Sequence, residues 1–204
     1  FILTFVALFI LFLSYLLVPT FYKQGDINKE LKNELLNKFN LDFTFTQKLN
    51  YSFFPRPHFF SEESYIVNNQ KKISEIGKLK IYISLENLLS VKNININKVI
   101  LDNTNFELDV ENRNFFLKLL DNNFLETNLN IKNSNVFFRD SSNEVLFMNI
   151  IKNLKFYYDQ NESKNILYSE NEIFNTPFSL KVINNKDEKK LYTKLDFDFL
   201  KFQI

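Results

Sequence analysis

Residues 1–18 read FILTFVALFILFLSYLLV, an apolar run without a single charge. Its polar groups are Thr4, Ser14 and Tyr15, and the first charge after it is Lys23. As a helix, residues 1–22 at about 1.5 Å each reach about 33 Å, the depth of a bilayer's hydrocarbon core. Lipid suits such a helix, because the backbone satisfies itself and the side chains need no water. Phe1, Phe5, Phe9, Phe12, Leu16 and Tyr22 are the expected anchor positions, with Tyr15, Phe21 and Tyr22 at the depth of an interfacial aromatic belt. A cleaved signal peptide is the alternative. Against it stand the length of the run and the absence of a small-x-small cleavage site, since Pro19-Thr20-Phe21 suits cleavage poorly. The sequence starts at Phe1, so the flanking charges that would orient the helix lie outside it.

Gly25-Asp26 reads as a break. Ile27, Leu31, Leu35 (or Leu36) and Phe39 then recur at near-helical spacing, with Lys29, Glu30, Lys32 and Glu34 on the wet side and Asp26 as the expected N-cap. A short amphipathic helix is expected within residues 23–40. From residue 41 the period drops to two. Leu41, Phe43 and Phe45 alternate with Asp42, Thr44 and Thr46, and Leu49, Tyr51 and Phe53 keep the parity until Pro55-Arg56-Pro57 stops it. Alternation resumes at Leu79, Ile81 and Ile83, at Ile94 and Ile96, at Val99 and Leu101, and at Phe106, Leu108 and Val110. After a helix-like stretch over residues 115–120 come strand patterns at 129–131, 136–138, 145–158, 178–183 and 191–202. In the last of these, Leu195, Phe197 and Phe199 alternate with Lys194, Asp196 and Asp198 up to the end at Ile204.

The pattern predicts a mainly β protein: an N-terminal transmembrane helix over residues 1–22, a short amphipathic helix, and a strand-rich domain over residues 41–204. Its sheet is expected to be antiparallel, meandering and curved, since helices between strands are too few for a parallel α/β fold. The start at Phe1 and the strand pattern that runs to Ile204 read as a piece of a longer protein.

Composition changes this picture little. Lys+Arg 25 against Asp+Glu 24 leaves a formal net charge of +1, which argues against a nucleic-acid partner. No cysteine is present, so disulfides and thiolate metal sites are excluded. There are only 2 glycines, so turns must lean on Asn, which tolerates positive φ; Asn68-Asn69, Asn122-Asn123 and Asn184-Asn185 sit where the apolar patterns break. The abundance of Phe, Asn, Lys and Ile fits an AT-rich coding background.

Catalytic chemistry finds few residues. His58 is the only histidine, beside Pro57 and Phe59, and a structural or exposed role is expected for it. Glu62-Glu63, Asp187-Glu188 and Asp196/Asp198 are carboxylate pairs, the last about 7 Å apart on one strand face, and they read as solvated strand surface. Lys71-Lys72 and Lys189-Lys190 are too short for a nucleic-acid patch, and the second reads as a hairpin rim. No phosphate-binding glycine loop or nucleophile elbow occurs. No enzyme activity, cofactor or metal site is expected.

Residues 39–108 resemble the N-terminal region of the AsmA family of bacterial envelope proteins. The resemblance lies in the order of features: a membrane helix, a short helix, and a strand ended by Pro55-Arg56-Pro57. Then come Ile73-Ser74-Glu75-Ile76 and the run Leu79 to Leu89, similar to the family's strand followed by a paired-leucine element. Val91 to Leu108 resembles its next pair of strands, and Ile131 to Asp140 a strand-turn-strand unit that its members repeat. Ser90 replaces the usual glycine, Asn87-Leu88 the proline before it, and the family's Gly-x-x-Asn-Trp has no counterpart near residues 111–116.

The resemblance implies an inner-membrane anchor with the soluble part in the periplasm, and a role in outer-membrane assembly or lipid homeostasis. Membrane phospholipid is the implied partner, held on an apolar sheet face, with further envelope proteins as possible partners. Alternating strands suffice for such a trough, because acyl chains bind by area, at about 25 cal/mol per Å². Phe43, Phe45, Leu79, Ile81, Phe106, Leu108, Val136 and Phe138 are the candidate lipid-facing residues. The same parity also suits a packed core, and the alternative is an anchored scaffold or interaction module with no groove.

Overall fold

The computed structural model describes residues 1–68, 70–120, 127–185, 188 and 190–197. The apolar run forms α1 (Ile2–Leu17), which continues into a 3₁₀ turn over Val18–Phe21 that carries Pro19. Ile2–Phe21 together make a 20-residue helical stretch of mean hydropathy 2.6, long and apolar enough to cross a membrane. Phe1, Phe5, Phe9 and Phe12 are exposed along it. Each such side chain left in water forgoes about 2 kcal/mol of burial.

The second helix, α2 (Gln24–Phe39), buries Ile27, Leu31, Leu35 and Phe39 as one stripe. Leu36 stays exposed, which settles the choice at that turn for Leu35. The expected N-cap moves. Lys23 precedes the helix with extended backbone and no side-chain cap, and Gly25 and Asp26 lie inside the first turn. First-turn N–H groups have no helical partner in any case, so a glycine there sacrifices little, and the Asp26 carboxylate meets the positive end of the helix dipole. The helix stops at Asn40, which adopts φ 54 and donates its N–H to the Leu36 carbonyl at 2.8 Å.

Ten strands follow: β1 (Asp42–Phe45), β2 (Asn50–Ser52), β3 (His58–Asn68), β4 (Lys71–Ile83), β5 (Ile96–Leu108), β6 (Asn128–Arg139), β7 (Val145–Asp159), β8 (Lys164–Ile173), β9 (Thr176–Asn185) and β10 (Lys190–Phe197). They form one sheet in the order β1-β3-β4-β5-β6-β7-β8-β9-β10, with β2 also paired to β3. The segments expected at 94–110 and at 129–138 are two long strands, β5 and β6. Two strands, β3 and β8, were hidden in the pattern. Their inward positions include Ser61 and Ser64 on β3 and Asn165, Ser169 and Asn171 on β8, so the apolar alternation is broken there. Asn184-Asn185 ends β9 as strand, while Asn69, Asn122-Asn123, Asp187, Lys189, Asp198, Phe199, Phe202 and Ile204 lie outside the described residues.

The meander has one exception. β5 and β6 pair in parallel, Val99 against Leu129 and Phe106 against Val136. A parallel neighbour requires a crossover, and residues 109–127 supply it, with α3 (Phe115–Leu120) on the way.

A crease crosses the sheet at mid-length. Glu63 on β3, Asn103 on β5 and Asn133 on β6 take φ 57, 56 and 46, and the register skips these positions. At each the pairing is interrupted, while the register on either side stays the same. Gly77 of β4 sits in the same row, where a Cβ would lie 2.9 Å from the Asn103 backbone oxygen. Small buried hydroxyl residues lie next to this row: Thr104 donates its N–H to Ser134 Oγ at 3.1 Å, and Ser134 Oγ donates to the Lys132 carbonyl at 2.6 Å. Among the described residues six of the ten left-handed non-glycine positions are Asn, and no glycine is left-handed.

The inward face packs against both helices. Ile27, Leu31, Leu35 and Phe39 of α2 share one core with Phe43, Phe59, Leu79, Ile81 and Val99 of the first strands. Phe115, Leu119 and Leu120 of α3 continue that core over the strands after the crossover. Phe106 meets the Phe115 and Phe116 rings at 5.9 and 5.3 Å between centroids.

Candidate functional site

Eight residues carry the expectation of a lipid-facing surface, and all eight share the inward face. Phe43, Leu79, Ile81, Phe106, Leu108 and Val136 are 0–1% exposed. Phe45 and Phe138 are half-buried against the core. The two helices account for this enclosure, so most of the expected apolar surface serves as packed interior.

The cover stops short of the last strands. Between α3 and the inward faces of β6 to β9 lies a cleft of about 170 Å³. Its walls are Phe116, Leu117 and Leu120 from α3, Val136 and Phe138 from β6, Ile151 and Leu154 from β7, Leu167 from β8, and Leu180 and Val182 from β9. Of the eight expected residues, only Val136 and Phe138 reach it. Phe138 is stacked on Phe147 of β7, 4.4 Å between centroids.

Three polar side chains complete the wall. Asn149 Nδ2 donates to Asn171 Oδ1 at 3.4 Å, and Asn171 Nδ2 donates to Ser169 Oγ at 2.7 Å. They hold one another and leave Asn149 Oδ1 enclosed without a donor. The rim of α3 is pinned in the same manner: the Leu120 carbonyl accepts from Asn165 Nδ2, and from Asn184 Nδ2 at 3.0 Å.

From the cleft the apolar face runs on to β10. Leu195 stands opposite Leu180, and Phe197 opposite Phe178, with those rings 5.3 Å apart. Leu191, Leu195 and Phe197 are exposed. Sequence alternation flagged Leu195 and Phe197 as a strand face. Ile151, Leu154, Leu180 and Val182 fall within the strand patterns at 145–158 and 178–183, whereas Leu167 of β8 carried no such signal, because Ser169 and Asn171 share its face.

The C-terminal part of α1 is tied to the domain. Tyr15 donates its hydroxyl to the Leu85 carbonyl at 2.6 Å and accepts the Leu88 N–H at 3.2 Å. Tyr22 donates to the Leu88 carbonyl at 2.5 Å, and Tyr51 to the Leu16 carbonyl at 2.7 Å. Leu16 is buried in the domain core. Two expected anchor positions, Leu16 and Tyr22, therefore hold the helix to the domain, while Phe1, Phe5, Phe9 and Phe12 stay free of it. Burial, with the Tyr22 hydroxyl nearby, pushes the Tyr51 phenol up to about 12.

His58 and several charged side chains outside the cleft have partners of their own. His58 is buried, stacked on Tyr82 at 5.0 Å, with Nδ1 2.8 Å from the Arg56 carbonyl. Glu62 lies opposite Lys78, and Gln47 Nε2 donates to Glu63 Oε2 at 3.0 Å. Lys71 is paired with Asp109, Lys72 with Glu75 at 2.6 Å, and Lys194 with Asp196 at 2.8 Å. Burial, then Lys132, Lys155 and Arg56 close by, hold Lys98 below the usual lysine range. Among the described residues no three His, Cys, Asp or Glu side chains come together as a metal site. No known family model matches the chain, and no curated protein sequence matches it, so the site is read from its own chemistry.

Proposed function

We propose that this chain is a membrane-anchored lipid-handling protein, of the bacterial envelope type that its AsmA resemblance implies. In this reading α1 sits in the inner membrane, the sheet lies in the periplasm, and the role is in outer-membrane assembly or lipid homeostasis. The observation that carries it is the uncovered stretch of the inward face. An apolar cleft opens beside α3 and runs into exposed Leu191, Leu195 and Phe197 on β10. A surface of this kind binds acyl chains by area alone and asks for no charged group. The apolar helix supports the same reading, since it would keep the cleft beside a store of lipid.

Photo-crosslinking tests this. A benzophenone side chain placed at Leu180 or Leu195, in the full chain in membranes, is expected to give lipid adducts by mass spectrometry. The same probe at Lys181 or Lys194, whose side chains leave the opposite face, is expected to give none. Equal labelling of both faces, or protein adducts in place of lipid at Leu180, refutes the lipid reading and leaves an anchored scaffold.

A further inference from the structure

Phe53, Phe54, Leu85 and Leu89 stand exposed on two loops, one between β2 and β3 and one between β4 and β5. These two loops lie at one end of the sheet, since the Ile83 N–H donates to the Pro57 carbonyl at 3.1 Å and His58 stacks on Tyr82. That end is also where α1 is tied down, through Tyr15, Tyr22 and Tyr51. Phe21 directly precedes the tied Tyr22, and Phe21, Phe54 and Leu89 are 83%, 76% and 74% exposed. Apolar side chains at such exposure, grouped around the root of an apolar helix, have no core to join.

The position of the ties fixes the depth. Tyr15 falls within the uncharged stretch of the helix, which continues to Tyr22 before Lys23. The loops thus meet α1 beside its last apolar turns, where a bilayer changes from hydrocarbon to headgroups. The charges around them have one dominant sign. Arg56 and Lys92 lie on the two loops against Glu86, Lys23 follows the root of α1, and Lys48 lies beside Pro19 and Tyr22. A basic rim around apolar tips matches an anionic lipid surface.

We infer that Phe21, Phe53, Phe54, Leu85 and Leu89 form a collar that dips into the bilayer interface, so that the domain rests on the membrane in one fixed orientation. This rests on the reading of α1 as a membrane anchor. The collar buries its aromatic and leucine tips among acyl chains while Arg56 and Lys92 face phosphates. Held by three tyrosine ties and the collar, the sheet stands upright with the β8–β9 hairpin, at Phe174 and Asn175, at the end opposite the collar.

The chain has no tryptophan, so a single introduced one reports its own depth. Four variants of the full chain, Phe9→Trp, Phe54→Trp, Leu89→Trp and Phe174→Trp, are reconstituted in vesicles of mixed neutral and anionic phospholipid with brominated acyl chains. All four sites are exposed, so none disturbs packing. Quenching at Phe54→Trp and Leu89→Trp is expected to approach that of Phe9→Trp and to exceed that of Phe174→Trp severalfold. If Phe9→Trp is quenched while Phe54→Trp and Leu89→Trp match Phe174→Trp, the collar is overturned and the anchor stands. If Phe54→Trp is shifted to the blue without quenching, protein covers the loops and the collar is again overturned. If Phe9→Trp itself is unquenched, the anchor reading fails and the collar with it.

Discussion

Gly77 shows how a single residue permits a close approach between neighbouring strands. The chain has few glycines, and this one stands where the Asn103 backbone closes to 2.9 Å of the missing Cβ. Gly77→Ala is expected to cost about 1–3 kcal/mol, since backbone must shift to admit the methyl group. Gly25 has nothing within 4 Å and sits in the first turn of α2. Gly25→Ala is therefore expected to be neutral or to stabilise by up to about 1 kcal/mol. Denaturant unfolding followed by circular dichroism separates the two, and equal effects would remove the crease argument. Tyr51 carries the second residue-scale prediction. Its folded pKa lies above the unfolded value of 10, at about 12, so the neutral phenol is favoured by folding. That stability is fully present below pH 10 and is lost as pH rises from about 10 to about 12. Tyrosinate absorbance should lose its titration near pH 12 in Tyr51→Phe. A titration curve that loses an ordinary group instead would remove the buried tie to Leu16.

Among the elements, α2 is the one whose pattern and packing agree most closely. Its four-residue spacing named Ile27, Leu31 and Phe39, and the structure buries all three. The remaining turn offered Leu35 or Leu36, and only the packed sheet chose between them. Leu35→Ala is expected to cost about 2–5 kcal/mol, as a fully buried leucine does, and Leu36→Ala less than about 0.5 kcal/mol. Thermal or denaturant melts of the two variants check this; similar losses would mean the helix is rotated. The strands were legible where their inward positions are apolar, as on β1, β5 and β7. They were illegible where those positions carry Ser or Asn, as on β3 and β8. Such residues fit inward because they bond one another, as Asn171 does with Ser169, or backbone, as Ser74 does with the Ile66 N–H at 3.2 Å. Apolar alternation records only hydrophobic against polar, so it cannot report that a polar inward side chain has found a partner.

For the whole molecule, the junction of α1 with the sheet sets where the folded unit begins. Docking starts at Tyr15 and Leu16, inside the apolar run and well before its end at Tyr22. A chain that starts at Tyr15 is expected to melt about 5 °C or more above one that starts at Gln24, given about 2 kcal/mol for buried Leu16 and the lost tyrosine bonds. Equal melting temperatures would mean that the helix hangs free. The site divides in the same manner. The chain's alternation marked one apolar face, and the candidates Val136 and Phe138 do reach the open cleft. Of the other six, five are fully buried and Phe45 is half-buried against the same core.

Taken alone, the sequence determined the apolar helix and the strand-rich domain, because each depends on composition and short-range period. The tertiary structure decided the parallel return at β5–β6, the crease through Gly77 and the part of the apolar face left open. Those outcomes depend on which helix covers which strand, a contact between segments far apart in the chain, and no local pattern encodes it.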